Sequence, residues 1–302
     1  MAGTATGSAT RRRRTQQLVR LRRQQRLPRV RARGGNLSTA LRVGITGIGA
    51  WLHGAPDWPS LRGILLGEHD LADDAPAKPV ADLLPAAERR RAPDGVRLAA
   101  EVARQACAMA GADPTKLPCV FASSHGEVAI TDYVCETLVH APQELSPTKF
   151  HNSVLNAPAG YWTIATGCTA ASTAVTAYHA SFAAGLLEAV AFACAEATPV
   201  LFASCDVAST GPLAAMTRTT LAFGVALVLA PEAMTGARLH MALHEGAADD
   251  LASAALALRH VAGDNPANAH ALALLSTLAH TRPARLRLPL SSGLSLDMEI
   301  TP

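Results

Sequence analysis

The sequence predicts an α/β layered fold with helices on both faces of one sheet, on three observations. Short runs of small and β-branched apolar residues alternate along the chain with stretches of helical periodicity. One stretch, Ser146–Asp206, contains the whole pattern in order: loop, short helix, strand, long helix, strand. The chain has 302 residues, about half of them apolar, which is enough to build a sizeable core.

Within that stretch TAASTAVTA (Thr169–Ala177) has the small, β-branched composition of a fully buried strand. The chain turns at Tyr178–His179 into an apolar helix running to about Ala197, and Val200–Ser204 forms the next strand. A sharp strand-to-helix turn pushes its first helical residue outward at a helix N-terminus, where backbone N–H groups favour developing negative charge. Nucleophiles are often placed there, and in this chain the residue is His179.

Order begins near Arg42. Arg42–Trp51 reads as a strand running into a glycine-rich turn; Gly44, Gly47 and Gly49 echo a dinucleotide fingerprint only loosely. Neither the helix that should open on the last glycine nor the acidic residue ending a second strand is present. Trp58–Glu68 is a short amphipathic helix, and Asp70–Arg91 a loop with one helical turn. Pro93–Gly111 has helical periodicity, starting at Asp94 and stopping at Gly111. Leu117–Ser124 follows as a buried strand and Gly126–Pro142 as a second amphipathic helix. Beyond the central stretch, Thr217–Glu232 is a strand pair or one long strand, and Gly236–Gly246 another strand. Two helices are expected at Asp249–His260 and Pro266–His280, before a hairpin in which LRLPL and LSLDMEI flank Ser-Ser-Gly.

Composition narrows the function classes. No uninterrupted apolar run of about 18 residues exists, which argues against a membrane span. The six cysteines are scattered without a C-x-x-C pair, as expected of reduced core thiols in the cytoplasm, and no metal-ligand spacing appears among His and Cys. The net charge of +3 hides two unlike parts: residues 1–41 hold eleven arginines and no acid, which leaves the remainder at −8. That basic segment reads as a disordered tail, and residues 42–302 as the domain. Charge alone would let the tail touch nucleic acid or anionic lipid, but no nucleic-acid partner is expected of the domain.

The order of elements resembles the N-terminal half of a β-ketoacyl synthase, a member of the thiolase-like fold with a mixed sheet. An opening strand with I-x-G-I-G-A, a W-x-x-L-x-x-x-L-x-G helix and a helix ending A-G-A-D before a strand all occur. The segment Asn156, Ala159, Gly160, Thr163, Ile164, Gly167 is similar to the one leading into the synthase nucleophile strand, and FGVALVLAPE to a later synthase strand whose glycine motif is thinned here to Phe223–Gly224. The resemblance covers roughly residues 42–246, and residues 247–302 supply the C-terminal helices and hairpin.

The departures carry the functional expectation. A working ketosynthase has its cysteine at the elbow between strand and long helix; counting from Gly167 and back from Val200–Ser204 places that position at His179. Cys168, in IATGCTAAS, is the alternative, although it precedes the strand. The H-G-T and N-x-F-G-F-G-G-like segments that supply two histidines in the second synthase half do not occur in residues 247–302.

The resemblance therefore implies a non-catalytic, chain-length-factor-like protein, as in aryl polyene-type pathways. Its implied partners are a full-length ketosynthase, in a heterodimer, and an acyl carrier protein; no cofactor is implied. Asn156, Tyr161, Trp162 and Phe182 are the implied acyl-tunnel or partner contacts, with the plain alternatives of cap and packing residues. Ser153 belongs with Asn156, and His125, in Ser-Ser-His-Gly-Glu, stands at a strand end where sites occur in α/β folds. Pro158–Thr166 and Thr169–Ala177 are candidates for the partner interface. Two other readings stay open: a cysteine acyltransferase or hydrolase using Cys168, and a stand-alone binding or scaffold module.

Overall fold

The computed structural model describes residues 41–73, 76–231, 236–248 and 264–302. The first of the two C-terminal helices expected, Asp249–His260, and all of the basic segment but Leu41 lie outside the described residues.

Eight strands form one mixed sheet in the order β3-β2-β4-β5-β1-β6-β8-β7. They are β1 (Leu41–Leu52), β2 (Cys119–Ala122), β3 (Ser172–Val175), β4 (Val200–Asp206), β5 (Phe223–Pro231), β6 (Ala237–Glu245), β7 (Ala284–Ser291) and β8 (Leu294–Thr301). β2 runs parallel to both β3 and β4, and every other pairing is antiparallel. The helices are α1 (Trp58–Leu66), α2 (Ala86–Arg91), α3 (Asp94–Ala110), α4 (Val128–His140), α5 (Pro147–His151), α6 (Ala157–Thr166), α7 (Ser181–Glu196), α8 (Ala214–Thr217) and α9 (Ala269–His280).

Strand alternation divides the core into two faces. Val120, Val200, Phe202, Val225 and Leu227 point to one face, where Phe182, Leu186, Val190 of α7, Leu61 of α1 and Leu275 of α9 meet them. Phe121, Leu201, Ala203, Ala226 and Val228 point to the other, against Leu98, Val102 and Ala106 of α3 and Trp162 of α6. Helices thus cover both faces, as the strand–helix alternation implies.

Local chemistry sets the helix ends. Asp57 caps α1, its carboxylate accepting from the Ser60 N–H at 2.9 Å, and Pro59 opens the first turn. Gly67, Gly111 and Gly167 close α1, α3 and α6 in the left-handed conformation.

Several elements differ from the sequence expectation. Gly44, Gly47 and Gly49 are not in a turn; β1 is one continuous strand of 12 residues. Two of these glycines make room for α3: a Cβ on Gly47 would lie 2.1 Å from the Ala106 carbonyl oxygen, and one on Gly49 2.0 Å from that of Val102. The strand expected over Thr169–Ala177 shrinks to β3, and it is not buried: it is the sheet edge, half-exposed, with β2 as its one neighbour among the described residues. Small β-branched residues suit such an edge as well as a core, so composition alone misplaced it. The long helix opens later than Tyr178, because a single 3₁₀ turn over Tyr178–Ala180 intervenes. Thr217–Glu232 is one strand, β5, whose first expected residues lie in α8 and a loop. The second C-terminal helix starts at Ala269, three residues after Pro266.

One helix bears on the membrane expectation. By length and composition alone the helical stretch Tyr178–Glu196, with mean hydropathy 1.3, is long and apolar enough to cross a bilayer. In the fold it buries Phe182, Ala183, Leu186, Ala189, Val190 and Ala193 against the sheet, so its hydropathy is that of a core helix.

Candidate functional site

The parallel strands β2, β3 and β4 end on the same side of the sheet, the usual place for a site in an α/β fold. Three segments meet there: the Ser123–Gly126 loop after β2, the corner after β3, and the end of β4 with the start of α9.

The corner is pinned by hydrogen bonds. Ser181 Oγ accepts from the Ala177 N–H at 2.9 Å and donates to the Tyr178 carbonyl at 2.6 Å. Tyr178, with φ +53°, holds the left-handed backbone of the corner, a conformation costly for a side chain with a Cβ. Its hydroxyl donates to the Met216 carbonyl at 2.8 Å. His179 follows, its ring stacked on Tyr178 with centroids 3.8 Å apart, and His125 meets Tyr178 edge-on at 5.2 Å. Sequence reasoning named His125 and His179; the structure brings them together through Tyr178. Burial, with Arg218 nearby, lowers the His179 pKa, which favours the neutral ring.

Beneath the corner lies a buried polar network absent from the sequence reading. Asp206, the last residue of β4, accepts from Ser123 Oγ, Ser124 N, Ser124 Oγ and Asn268 Nδ2 at 2.8–3.0 Å. Asn265 Nδ2 donates to the Asp206 carbonyl at 3.1 Å and to that of Leu221 at 2.9 Å, while Ser204 donates to Asn268 Oδ1. Burial raises the Asp206 pKa, and the serine hydrogen bonds act against that rise. The network ties the ends of β2 and β4 to the start of α9, where His270 lies near His179. Its sequence signals were a lone acid closing the apolar VLFASCD and the polar Asn265, Asn268 and His270 opening an apolar helix.

The other sequence-derived residues lie elsewhere. Asn156 and Tyr161 line a cleft of about 430 Å³ with Arg91, His151, Val154 and Ile164. Tyr161 donates to Asn152 Oδ1 at 3.1 Å, and Asn152 in turn donates to the Arg91 carbonyl. Ser153 is a local turn residue, donating to the Phe150 carbonyl at 2.8 Å. Trp162 (1% exposed) packs on Phe121, and Phe182 (0% exposed) on Phe202, in the two cores on opposite faces of the sheet. Cys168 lies before β3, at the end of the strand opposite His179; it is 6% exposed and its thiol donates to the Leu117 carbonyl at 3.4 Å. Burial pushes its neighbour Cys119, and Cys107, up to about 12, so both stay thiols.

Glu127, at the start of α4, is a second buried carboxyl. Its Oε1 fills the space a side chain on Gly95 would need, 2.4 Å from an added Cβ. Burial pushes it up to about 7, against the pull of the Gly95 and Val96 N–H groups that open α3. Among the described residues no group of three His, Cys, Asp or Glu is placed to hold a metal ion.

Comparison with known proteins places this geometry. Residues 67–289 match the family described as beta-ketoacyl synthase, N-terminal domain. No curated protein matches the chain. Among solved structures it is similar to a chain of the ketosynthase (ApeO) in complex with its chain length factor (ApeC) from Xenorhabdus doucetiae. That match has TM-score 0.65 at 22% identity, covering 86% of this chain and 99% of that one. A chain of the ishigamide ketosynthase/chain length factor gives TM-score 0.64 at 15% identity, covering 85% and 98%. A chain of a complex of a type II polyketide synthase acyl-carrier protein with its ketosynthase, AntDE:AntF, gives 0.65 at 13%, covering 87% and 99%. The chain therefore belongs to the β-ketoacyl synthase family through its N-terminal domain, and its mixed sheet is a thiolase-like fold.

Proposed function

We propose that the protein is the non-catalytic, chain-length-factor-like partner of a full ketosynthase, acting in the cytoplasm in an aryl polyene-type pathway on an acyl carrier protein. The observation that carries this reading is the occupied corner. Where the family resemblance puts a nucleophilic cysteine stands His179, and the hydroxyls of its neighbours Tyr178 and Ser181 are both committed to backbone carbonyls. A neutral imidazole stacked on a phenol can exchange a proton but has no thiol beside it to activate.

The open β3 edge supports the partner half of the reading. Ala171 and Val175 direct their carbonyls to β2, so in a regular strand Ser172 and Ala174 direct N–H and C=O outward. Ile164 (76% exposed), Val154 and Phe150 expose apolar surface on the segment that leads to β3, beside the Asn156–Tyr161 cleft. In this reading Asn156 and Tyr161 contact the partner or the acyl chain directly, and Trp162 and Phe182 shape that surface from within the two cores.

The test is co-expression of the full chain with a full-length ketosynthase from the same genome. A stable one-to-one complex, with a chain product that survives His179→Ala and Cys168→Ala, is expected. A monomer that ignores the synthase and is acylated at Cys168 by an acyl thioester would overturn the proposal in favour of a cysteine acyltransferase.

A further inference from the structure

We propose that His179 and His270, packed beside His125, form an acid-sensitive latch that holds the start of α9 against the strand-to-helix corner at neutral pH and releases it on acidification. The three rings come from three elements: the loop after β2, the 3₁₀ turn, and the first turn of α9. Each has one nitrogen that is shut off from water and has no hydrogen-bond partner among the described residues: Nε2 of His125, Nε2 of His179 and Nδ1 of His270. On a neutral imidazole such a nitrogen can remain a lone pair, whose burial costs less than that of a charged N–H. At His179 and His270 a second proton would have to land on it, making a buried, charged N–H donor with no acceptor.

The surroundings of His179 and His270 oppose that charge. His270 faces the His179 ring and sits in the first turn of α9, where the helix end is itself positive, while its hydrogen bond to the His179 backbone acts the other way. Burial is the larger effect and pushes His270 down to about 4. His179 faces the fixed charge of Arg218 and the ring of His125. His125 faces Asp206, the acid of the group, whose carboxylate is committed to Ser123, Ser124 and Asn268. Acidification therefore favours the released form, in which His179 and His270 can take up a proton in contact with water. Moving the first turn of α9 outward exposes His270, while the Asn265 and Asn268 bonds to Asp206 resist and set the release below neutrality. The element released is one that covers α1 and α7 on the first face of the sheet.

Amide hydrogen exchange of the full chain at pH 7 and pH 5, corrected for intrinsic exchange, tests the latch. A group at 6.5 when exposed and near 4 when held shifts the balance toward release by roughly twentyfold between those pH values. The expected result is that loss of protection in residues 268–275, with α3 unchanged, and its disappearance in His270→Asn. Equal behaviour of α9 and α3 in the wild type, or an undiminished loss in His270→Asn, overturns the proposal. Should that variant not fold, the wild type alone decides by NMR: a His270 ring titrating well below 6 supports the latch, and one titrating near 6.5 in the folded chain sinks it.

Discussion

The two edges of the sheet are built on opposite rules. The β7 edge is long and defended: Arg285 and Arg287 pair across to Glu299 and Asp297 of β8, and Pro289 removes a backbone donor from the strand. Charge and proline are standard guards against edge-to-edge pairing. The β3 edge has four residues, Ser-Thr-Ala-Val, none of them charged, and exposed Ile164 and Val154 nearby. One end of the sheet carries these guards, and the other lacks them among the described residues. The C-terminal segment builds the guarded end: β6, β8 and β7 extend the sheet, α9 packs on α1 and α7, and β7 lies beside the Tyr178–Ala180 turn.

The largest expected effect breaks the contrast outright. Ala174→Pro removes an outward-facing N–H from β3 without taking a bond from β2, so the monomer should fold while the ketosynthase complex is lost. Proline at Arg285, on the guarded edge, should leave the complex intact. Size-exclusion chromatography of the co-expressed pair reads both; a complex that survives Ala174→Pro would place the interface elsewhere.

The next effect separates the two regions by pH. Glu127, on the β3 side, is raised from 4.5 to about 7, so the stability it contributes is fully present below 4.5 and lost as pH rises through 7. His270, on the extension side, is lowered from 6.5 to about 4, so its contribution is present above 6.5 and lost as pH falls through 4. Each amounts to about 3 kcal/mol at its limit, with opposite sign. Between pH 6.5 and 4.5 the two nearly cancel in the wild type. Urea titrations at several pH values should therefore show stability falling on acidification in Glu127→Gln and rising in His270→Asn. Parallel profiles in the two variants would contradict the assignment.

A smaller effect sharpens the apolar side of the contrast. Ile164→Glu puts a charge on exposed α6 surface, so thermal stability should move little while affinity for the ketosynthase falls about tenfold, or about 1.4 kcal/mol. Arg285→Glu, next to Glu299, should change neither by more than about 1 kcal/mol. Titration calorimetry on the purified partners distinguishes them.

How much of this was legible in the sequence depends on what fixes each feature. Helices α1 and α3 were readable because their ends carry local chemistry: Asp57 and Gly67, Asp94 and Gly111. The β7–β8 hairpin was readable from its alternation and Ser-Ser-Gly turn. Edge and centre were not, because burial of a strand depends on how many neighbours it gains, and Thr169–Ala177 has a composition suited to either. The glycines of β1 were misread as a turn because the carbonyls they accommodate belong to α3, some 53–59 residues further on. The corner was found from strand and helix lengths, but the residue holding its strained backbone is Tyr178, one before His179, and no periodicity marks a positive φ. Asp206, Asn265, Asn268 and His270 went unread because a polar network is defined by distance in space.

The smallest expected effect concerns the cysteine that sequence similarity makes tempting. Cys168 sits just past the Gly167 cap of α6, buried, with its thiol on the Leu117 carbonyl, at the end of β3 away from Tyr178 and His179. A nucleophilic thiol needs access to its acyl donor and a neighbour that favours the thiolate. Here the thiol is committed to a carbonyl, and burial keeps solutes out. Cys168→Ser keeps the size and the donor, so unfolding free energy should change by no more than about 1 kcal/mol. Intact-mass spectrometry after incubation with an acyl thioester should find wild type and Cys168→Ser equally unmodified at this position. An acyl adduct on Cys168 would mean that the closed end of the edge strand opens in solution, and that chemistry resides at the end of β3 opposite the corner.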